Sequence, residues 1–191
     1  LAVGDEMKAV ILAGGFGTRR SEETGLRPKP MIEIGHQPII WHIMKIYSYY
    51  GVNDFIICCG YKGYQIKEFF LNYRYHLSDI TINFENNDIK IHNVEHEPWK
   101  VTLADTGLET MTGGRVKRIR KYLEAEENFF LTYGDGLADI DIDKLLNRHN
   151  QQRNLVTVTA VEPPGRFGVL RTKGDKVEDF GEKIDGSNKL I

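Results

Sequence analysis

Leu12, Ala13, Gly14, Gly15, Phe16, Gly17, Thr18 and Arg19 join the end of an apolar run to three glycines and a cation. Glycine lets backbone approach a ligand closely, and free N–H groups at the end of a strand can hold phosphate oxygens. Arg19 adds a permanent charge suited to a polyphosphate. The pattern lacks the Gly-Lys-Ser/Thr of a Walker A loop and the third glycine of a dinucleotide fingerprint. On their own the glycines fit a plain turn equally well. Arg19 and a later lysine weigh against that. The lysine stands in Arg27-Pro28-Lys29-Pro30, where prolines restrain the backbone on both sides. A restrained lysine near a phosphate loop is a good point charge for a transferring phosphoryl group, although alone it reads as a solvated loop residue.

The third candidate is Asp135 in Tyr133-Gly134-Asp135-Gly136. A lone carboxylate after an apolar run, between two glycines, is open to both metal and substrate. Mg²⁺ takes one or two carboxylates and completes its shell with water and phosphate. The competing reading is an Asp-Gly turn. Other groups carry less. His92 and His96 have metal-like spacing but no nearby cysteine, so ligation is not expected. Cys58 and Cys59 lie in an apolar run and read as core. The five basic residues between Arg115 and Lys121 read as a solvated helix face, Arg115 at its start excepted. No Ser-His-Asp set is legible.

Several elements must position these residues. Residues 8–12 and 54–59 read as buried strands. Residues 38–50 show helical spacing at Ile39, Ile40, Ile43, Met44, Ile46, Tyr47 and Tyr50, with Gly51 as the stop. Residues 64–75 read as a second helix, 80–84 and 89–94 as a hairpin, 114–123 as a helix and 128–132 as a third buried strand. Residues 142–151 read as helix and 155–161 as strand, and a last hairpin turns through Thr172-Lys173-Gly174-Asp175. This alternation predicts an α/β fold: a Rossmann-like domain with a mixed, mainly parallel central sheet, flanking helices and small β-hairpin insertions. Ligands in such folds sit beyond the carboxyl ends of the strands, where both glycine-rich turns fall.

Leu12 to Arg19 followed by Pro28-Lys29-Pro30 resembles the signature of the sugar-phosphate nucleotidyltransferase family. Further along come Ile57-Cys58-Cys59-Gly60-Tyr61-Lys62-Gly63, Glu97-Pro98-Trp99, Asp105-Thr106-Gly107, Thr112-Gly113-Gly114-Arg115, Tyr133-Gly134-Asp135-Gly136 and Pro163-Pro164-Gly165-Arg166-Phe167-Gly168. In that order they resemble the family's glucose-1-phosphate cytidylyltransferases, over residues 7–183. The resemblance implies CTP, α-D-glucose 1-phosphate and Mg²⁺ as ligands, with CDP-glucose and pyrophosphate as products. It implies that Leu12, Ala13, Gly14, Gly15, Phe16, Gly17, Thr18 and Arg19 hold base and triphosphate, and that Lys29 binds phosphate. It further implies that Thr110, Arg115 and Gly134 contribute to the nucleotide site, that Asp135 binds metal, and that Gly168 and Lys183 serve the sugar phosphate. Arg19, Lys29 and Asp135 are the expected catalytic groups. The chain departs from the pattern at Ile184, where the family has a proline that restrains the preceding lysine, and at Arg20, where it usually has leucine. Thymidylyl or uridylyl transfer on the same fold is the alternative chemistry. Nucleotide binding without turnover is the alternative class.

Composition sets outer bounds. The 191 residues are 41% hydrophobic and 27% charged, with a net charge of -2, ordinary for one globular domain and unsuited to gripping nucleic acid by bulk charge. No apolar run approaches a membrane span, so neither nucleic acid nor membrane is an expected partner. Adjacent Cys58 and Cys59 do not suit disulfide geometry, which favours a reducing cytoplasm. Tyr47, Tyr49 and Tyr50 read as helix packing or a contact between copies, and a homo-oligomer is expected. Residues 7–191 read as one nucleotidyltransferase domain behind a six-residue extension. Family members run further, so a domain shortened at its C-terminus is expected, with the second metal-binding aspartate and much of the sugar pocket beyond it.

Overall fold

The computed structural model describes residues 7–16, 27–93, 97–161 and 169–181, which divide into two compact units after Ile142. The first unit is built on a four-stranded sheet. Its strands are β1 (Lys8–Ala13), β4 (Asp54–Cys59), β7 (Lys100–Asp105) and β8 (Phe130–Tyr133), in the spatial order β7-β4-β1-β8. All three pairings are parallel. The two central strands, β1 and β4, are buried from their second residue onward. That is why they read as unbroken apolar runs rather than as an alternation.

Packing follows from the alternation of side chains across a strand. Val10 and Leu12 of β1, Ile56 and Cys58 of β4 and Ala104 of β7 form one buried cluster with Ile119. Phe55 faces the other way and is fully buried, edge-on to Trp99 at 6.2 Å. Trp99 also meets Trp41 and Tyr73, whose side chains share a 2.7 Å hydrogen bond. Trp41 lies on α1 (Ile39–Tyr49) and Tyr73 on α2 (Gly63–Leu77). Helix α1 starts where Pro38 holds an extended backbone, buries Ile40, Ile43, Met44 and Tyr47 at helical spacing, and stops before Gly51 at φ 86°. Tyr47 packs against Phe130, whereas Tyr49 is exposed.

Smaller pieces complete this unit. Lys29–Met31 is a single 3₁₀ turn, followed by the two-residue strands β2 (Glu33–Ile34) and β3 (Gln37–Pro38). Strands β5 (Asp79–Asn83) and β6 (Asp88–His92) form the hairpin expected from the sequence, its turn held by the Asn83 and Asn86 side chains. His92 bonds Thr81 across this hairpin rather than a metal-like cluster, and His96 lies outside the described residues. Helix α3 is shorter than the expected 114–123: it spans Thr112–Arg118, and a 3₁₀ turn follows at Arg120–Tyr122. The Ile119 N–H is shared between the Arg115 and Val116 carbonyls, which tightens the last turn out of α geometry.

In the second unit, α4 (Ile142–Gln152) opens at the boundary, and β9 (Val169–Lys173) pairs antiparallel with β10 (Lys176–Gly181). The expected strand at 155–161 is not formed. Leu155, Val156 and Val158 stay exposed, and no segment among the described residues offers them a ladder. β-Propensity needs a paired neighbour to be realised, and the apolar run has none among the described residues. Among the described residues no helix is long and apolar enough to cross a membrane.

Candidate functional site

Because the central strands are parallel, their carboxyl ends emerge along one edge of the sheet. Ala13, Cys59 and Asp105 are in register there, and Leu12 pairs with Tyr133. Four loops therefore meet at that edge, beginning at Gly14, Gly60, Thr106 and Gly134. This is where a crevice for ligand is expected in an open α/β sheet.

Arg115 ties three of these loops together from below. Its side chain is buried, only 5% exposed. Nη1 donates to the Thr106 hydroxyl at 2.7 Å, the Gly107 carbonyl at 2.8 Å and the Cys59 carbonyl at 3.3 Å. Nη2 donates to the Gly14 carbonyl at 2.8 Å and the Leu108 carbonyl at 3.2 Å. All five are neutral oxygens, which offset the loss of water around a buried guanidinium. Burial lowers the Arg115 pKa, but arginine stays charged at any ordinary pH. Thr106 is fully buried; its hydroxyl donates to the Cys59 carbonyl at 2.7 Å, and its own carbonyl accepts from Arg118. The Gly14 carbonyl also accepts from the Tyr61 N–H at 3.2 Å.

This crowding explains the glycines. A Cβ on Gly14 would lie 2.2 Å from Arg115 Nη1, and one on Gly60 would lie 2.6 Å from the Gly14 carbonyl oxygen. Gly15 has open space in front of it, and Phe16, partly exposed, meets the Tyr61 ring at 5.5 Å. Thr110 is wedged between Gly107 and Gly114 in the loop before α3.

On the other side of β1, the Lys29 ammonium stands 3.6 Å from the Asp135 carboxylate, both part-exposed. Pro30 presses on Gly134, where an added Cβ would meet Pro30 Cγ at 2.9 Å, and the Gly134 N–H donates to the Leu12 carbonyl at 2.9 Å. So Leu12, Lys29, Gly134 and Asp135 are brought together, as are Gly14 and Arg115. Gly17, Thr18, Arg19, Gly168 and Lys183 lie outside the described residues. Sequence reasoning missed Thr106 and Gly60 as parts of the site; both stood inside quoted motifs, but a buried hydroxyl and a steric limit leave no mark of their own. Cys58 and Cys59 are buried free thiols whose pKa burial pushes up to about 11, so they are chemically quiet.

Residues 8–188 match the family model described as nucleotidyl transferase. The chain is 55% identical to a glucose-1-phosphate cytidylyltransferase of Salmonella typhimurium, over 97% of this chain and 72% of that protein. It is 32% identical to a D-glycero-alpha-D-manno-heptose 1-phosphate guanylyltransferase of Aneurinibacillus thermoaerophilus, over 93% of this chain and 68% of that one. Among solved structures, HddC from Yersinia pseudotuberculosis complexed with GMP-PN superposes with a TM-score of 0.68 at 26% identity, over 97% of this chain and 73% of that one.

Proposed function

Because the chain belongs to the nucleotidyl transferase family, we propose that it transfers a cytidylyl group from CTP to α-D-glucose 1-phosphate. A phosphate oxygen of the sugar phosphate attacks the α-phosphorus of CTP in line. The new P–O bond forms as the bond to the β-phosphate oxygen breaks, giving CDP-glucose and pyrophosphate. The nucleophile is already an anion, so no base has to remove a proton. The obstacle is the meeting of two anions, and catalysis is positioning and charge neutralisation.

The residues divide that work. Backbone N–H groups from Gly14 to Thr18, with Leu12 and Ala13 behind them, cradle the nucleotide, and Arg19 neutralises the leaving pyrophosphate. Lys29 neutralises the α-phosphate. Gly134, pressed by Pro30, lets the nucleotide approach the backbone, and Thr110 and Arg115 complete that side of the site. Gly168 and Lys183 serve the sugar phosphate. Asp135 fits a divalent cation: one carboxylate, part-exposed, already facing a cation in Lys29, as suits Mg²⁺ that keeps water and phosphate in its shell. Bound there, Mg²⁺ would supply charge stabilisation to the phosphate oxygens.

The observation that carries this reading is the meeting of Lys29 and Asp135, from distant parts of the chain, beside the Leu12 end of β1. The buried thiols of Cys58 and Cys59 support a reducing, cytoplasmic setting. The exposed Tyr49 beside Tyr50 supports a contact between copies of the chain. Pyrophosphate release with CTP and glucose 1-phosphate tests the reaction, beside titrations of CTP, UTP and dTTP with Mg²⁺. Tighter binding of UTP or dTTP would overturn cytidine. CTP binding without pyrophosphate release would make the chain a nucleotide-binding module.

A further inference from the structure

Arg115 donates inward, and the consequence reaches the ligand through a peptide bond. The Gly14 carbonyl is held by Arg115 Nη2 at 2.8 Å and by the Tyr61 N–H at 3.2 Å, and Tyr61 follows β4. In a trans peptide the carbonyl and the next N–H point in opposite directions, and the described residues contain no cis peptide bond. A Gly14 carbonyl aimed toward β4 therefore turns the Gly15 N–H toward β8, since β1 lies between the two. Lys29 and Asp135 stand on the β8 side. Glycine at both positions leaves this peptide free to rotate unless something holds it.

We propose that Arg115 and Thr106 are positioning residues that act through the Gly14 peptide, holding the Gly15 N–H toward the nucleotide phosphates. The guanidinium is the lock, and Thr106 is its anchor. The Thr106 hydroxyl accepts from Nη1 at 2.7 Å and donates to the Cys59 carbonyl at 2.7 Å, which fixes the guanidinium plane against the ends of β4 and β7. The planar fork can serve Gly14 on one nitrogen and Thr106 on the other at once; a lysine ammonium is a single point and cannot. Thr106 is fully buried and cannot touch a ligand, so any effect of it on nucleotide binding has to pass through the lock.

This rests on the nucleotide reading above, and the test separates the two. Thr106→Val, Arg115→Lys and Arg115→Met are compared with the unaltered chain by CTP titration with Mg²⁺ and by amide hydrogen exchange. Loss of one well-aimed donor to a charged phosphate weakens binding by about ten- to a hundredfold, the loss expected for both Arg115 variants. Thr106→Val is expected to weaken CTP by about three- to tenfold. In each variant the Tyr61 amide, which donates to the Gly14 carbonyl, exchanges faster while those of Ile56 and Ile57 stay protected. Full CTP affinity in folded Thr106→Val, or recovery of affinity by Arg115→Lys, overturns the proposal and makes Arg115 a direct charge on the ligand. Unchanged exchange at Tyr61 overturns it as well. If the unaltered chain binds no nucleotide, the functional reading fails, and the exchange data still decide whether the lock exists. Should Arg115→Met not fold, Thr106→Val and Arg115→Lys carry the test.

Discussion

At the scale of single residues, the proposed function gives Lys29 and Asp135 the charge work. A 3.6 Å separation between part-exposed groups contributes little to stability, so the proposal predicts an effect on the reaction and not on the fold. Asp135→Ala is expected to leave thermal stability nearly unchanged and to remove Mg²⁺-dependent pyrophosphate release. Unchanged turnover with this variant would take Asp135 out of the metal role. Gly60 is a steric prediction. Its added Cβ would fall 2.5 Å from Arg115 Nη1 and 2.6 Å from the Gly14 oxygen, both pinned. Gly60→Ala is expected to cost roughly 1–3 kcal/mol in denaturant unfolding, the usual range for overpacking, and to weaken CTP binding with it.

At the scale of elements, β4 is the spine of the first unit, paired on both sides and buried on both faces. Phe55→Ala removes a fully buried ring from the Trp99 cluster. The expected loss is about 3–5 kcal/mol, measurable by urea unfolding. The same strand predicts a pH dependence. Cys58 and Cys59 ionise near 9.0 when unfolded and at about 11 when folded. Below pH 9 both states keep these protons, and the two thiols add no pH dependence. Above it the unfolded chain loses protons first, so stability falls as pH rises toward 11. Denaturant unfolding across that range is expected to show the fall, and Cys58→Val to reduce it. A fall of equal size in that variant would assign it to other groups. The elements missed or misjudged from sequence have different causes. Strand β7, at the edge of the sheet among the described residues, mixes polar and apolar residues because it is part-buried over most of its length and exposed at both ends. The run at 155–161 has strand composition but no pairing strand among the described residues.

At the scale of the whole molecule, ligand and fold are linked. A nucleotide that binds only the folded state adds about 2.7 kcal/mol of stability at a hundred times its Kd. CTP with Mg²⁺ is therefore expected to raise the unfolding midpoint. Cytidine is expected to do so far less at equal concentration, because the proposed contacts are mainly to phosphate. Equal shifts from cytidine and CTP would place the binding energy in the base instead. The chain is similar both to a cytidylyltransferase and to a guanylyltransferase, so the nucleotide titrations, and not overall similarity, decide the base.

Much of this was legible in the sequence, because it is local. The apolar runs of β1 and β4, the helical spacing of α1 and the glycine turns follow from side-chain chemistry and near-neighbour sterics. Read in order, the motifs also named the family. What only the tertiary structure decided is which distant groups meet. Register placed Gly14, Gly60 and Thr106 on one edge, and packing brought Lys29 within reach of Asp135. Arg115 shows the difference most plainly. As a letter it is a cation at the start of a basic helix; folded, its charge is turned onto backbone carbonyls of three loops. Nothing near it in the sequence could say so, because desolvation and hydrogen-bond partners are properties of the space a residue ends up in.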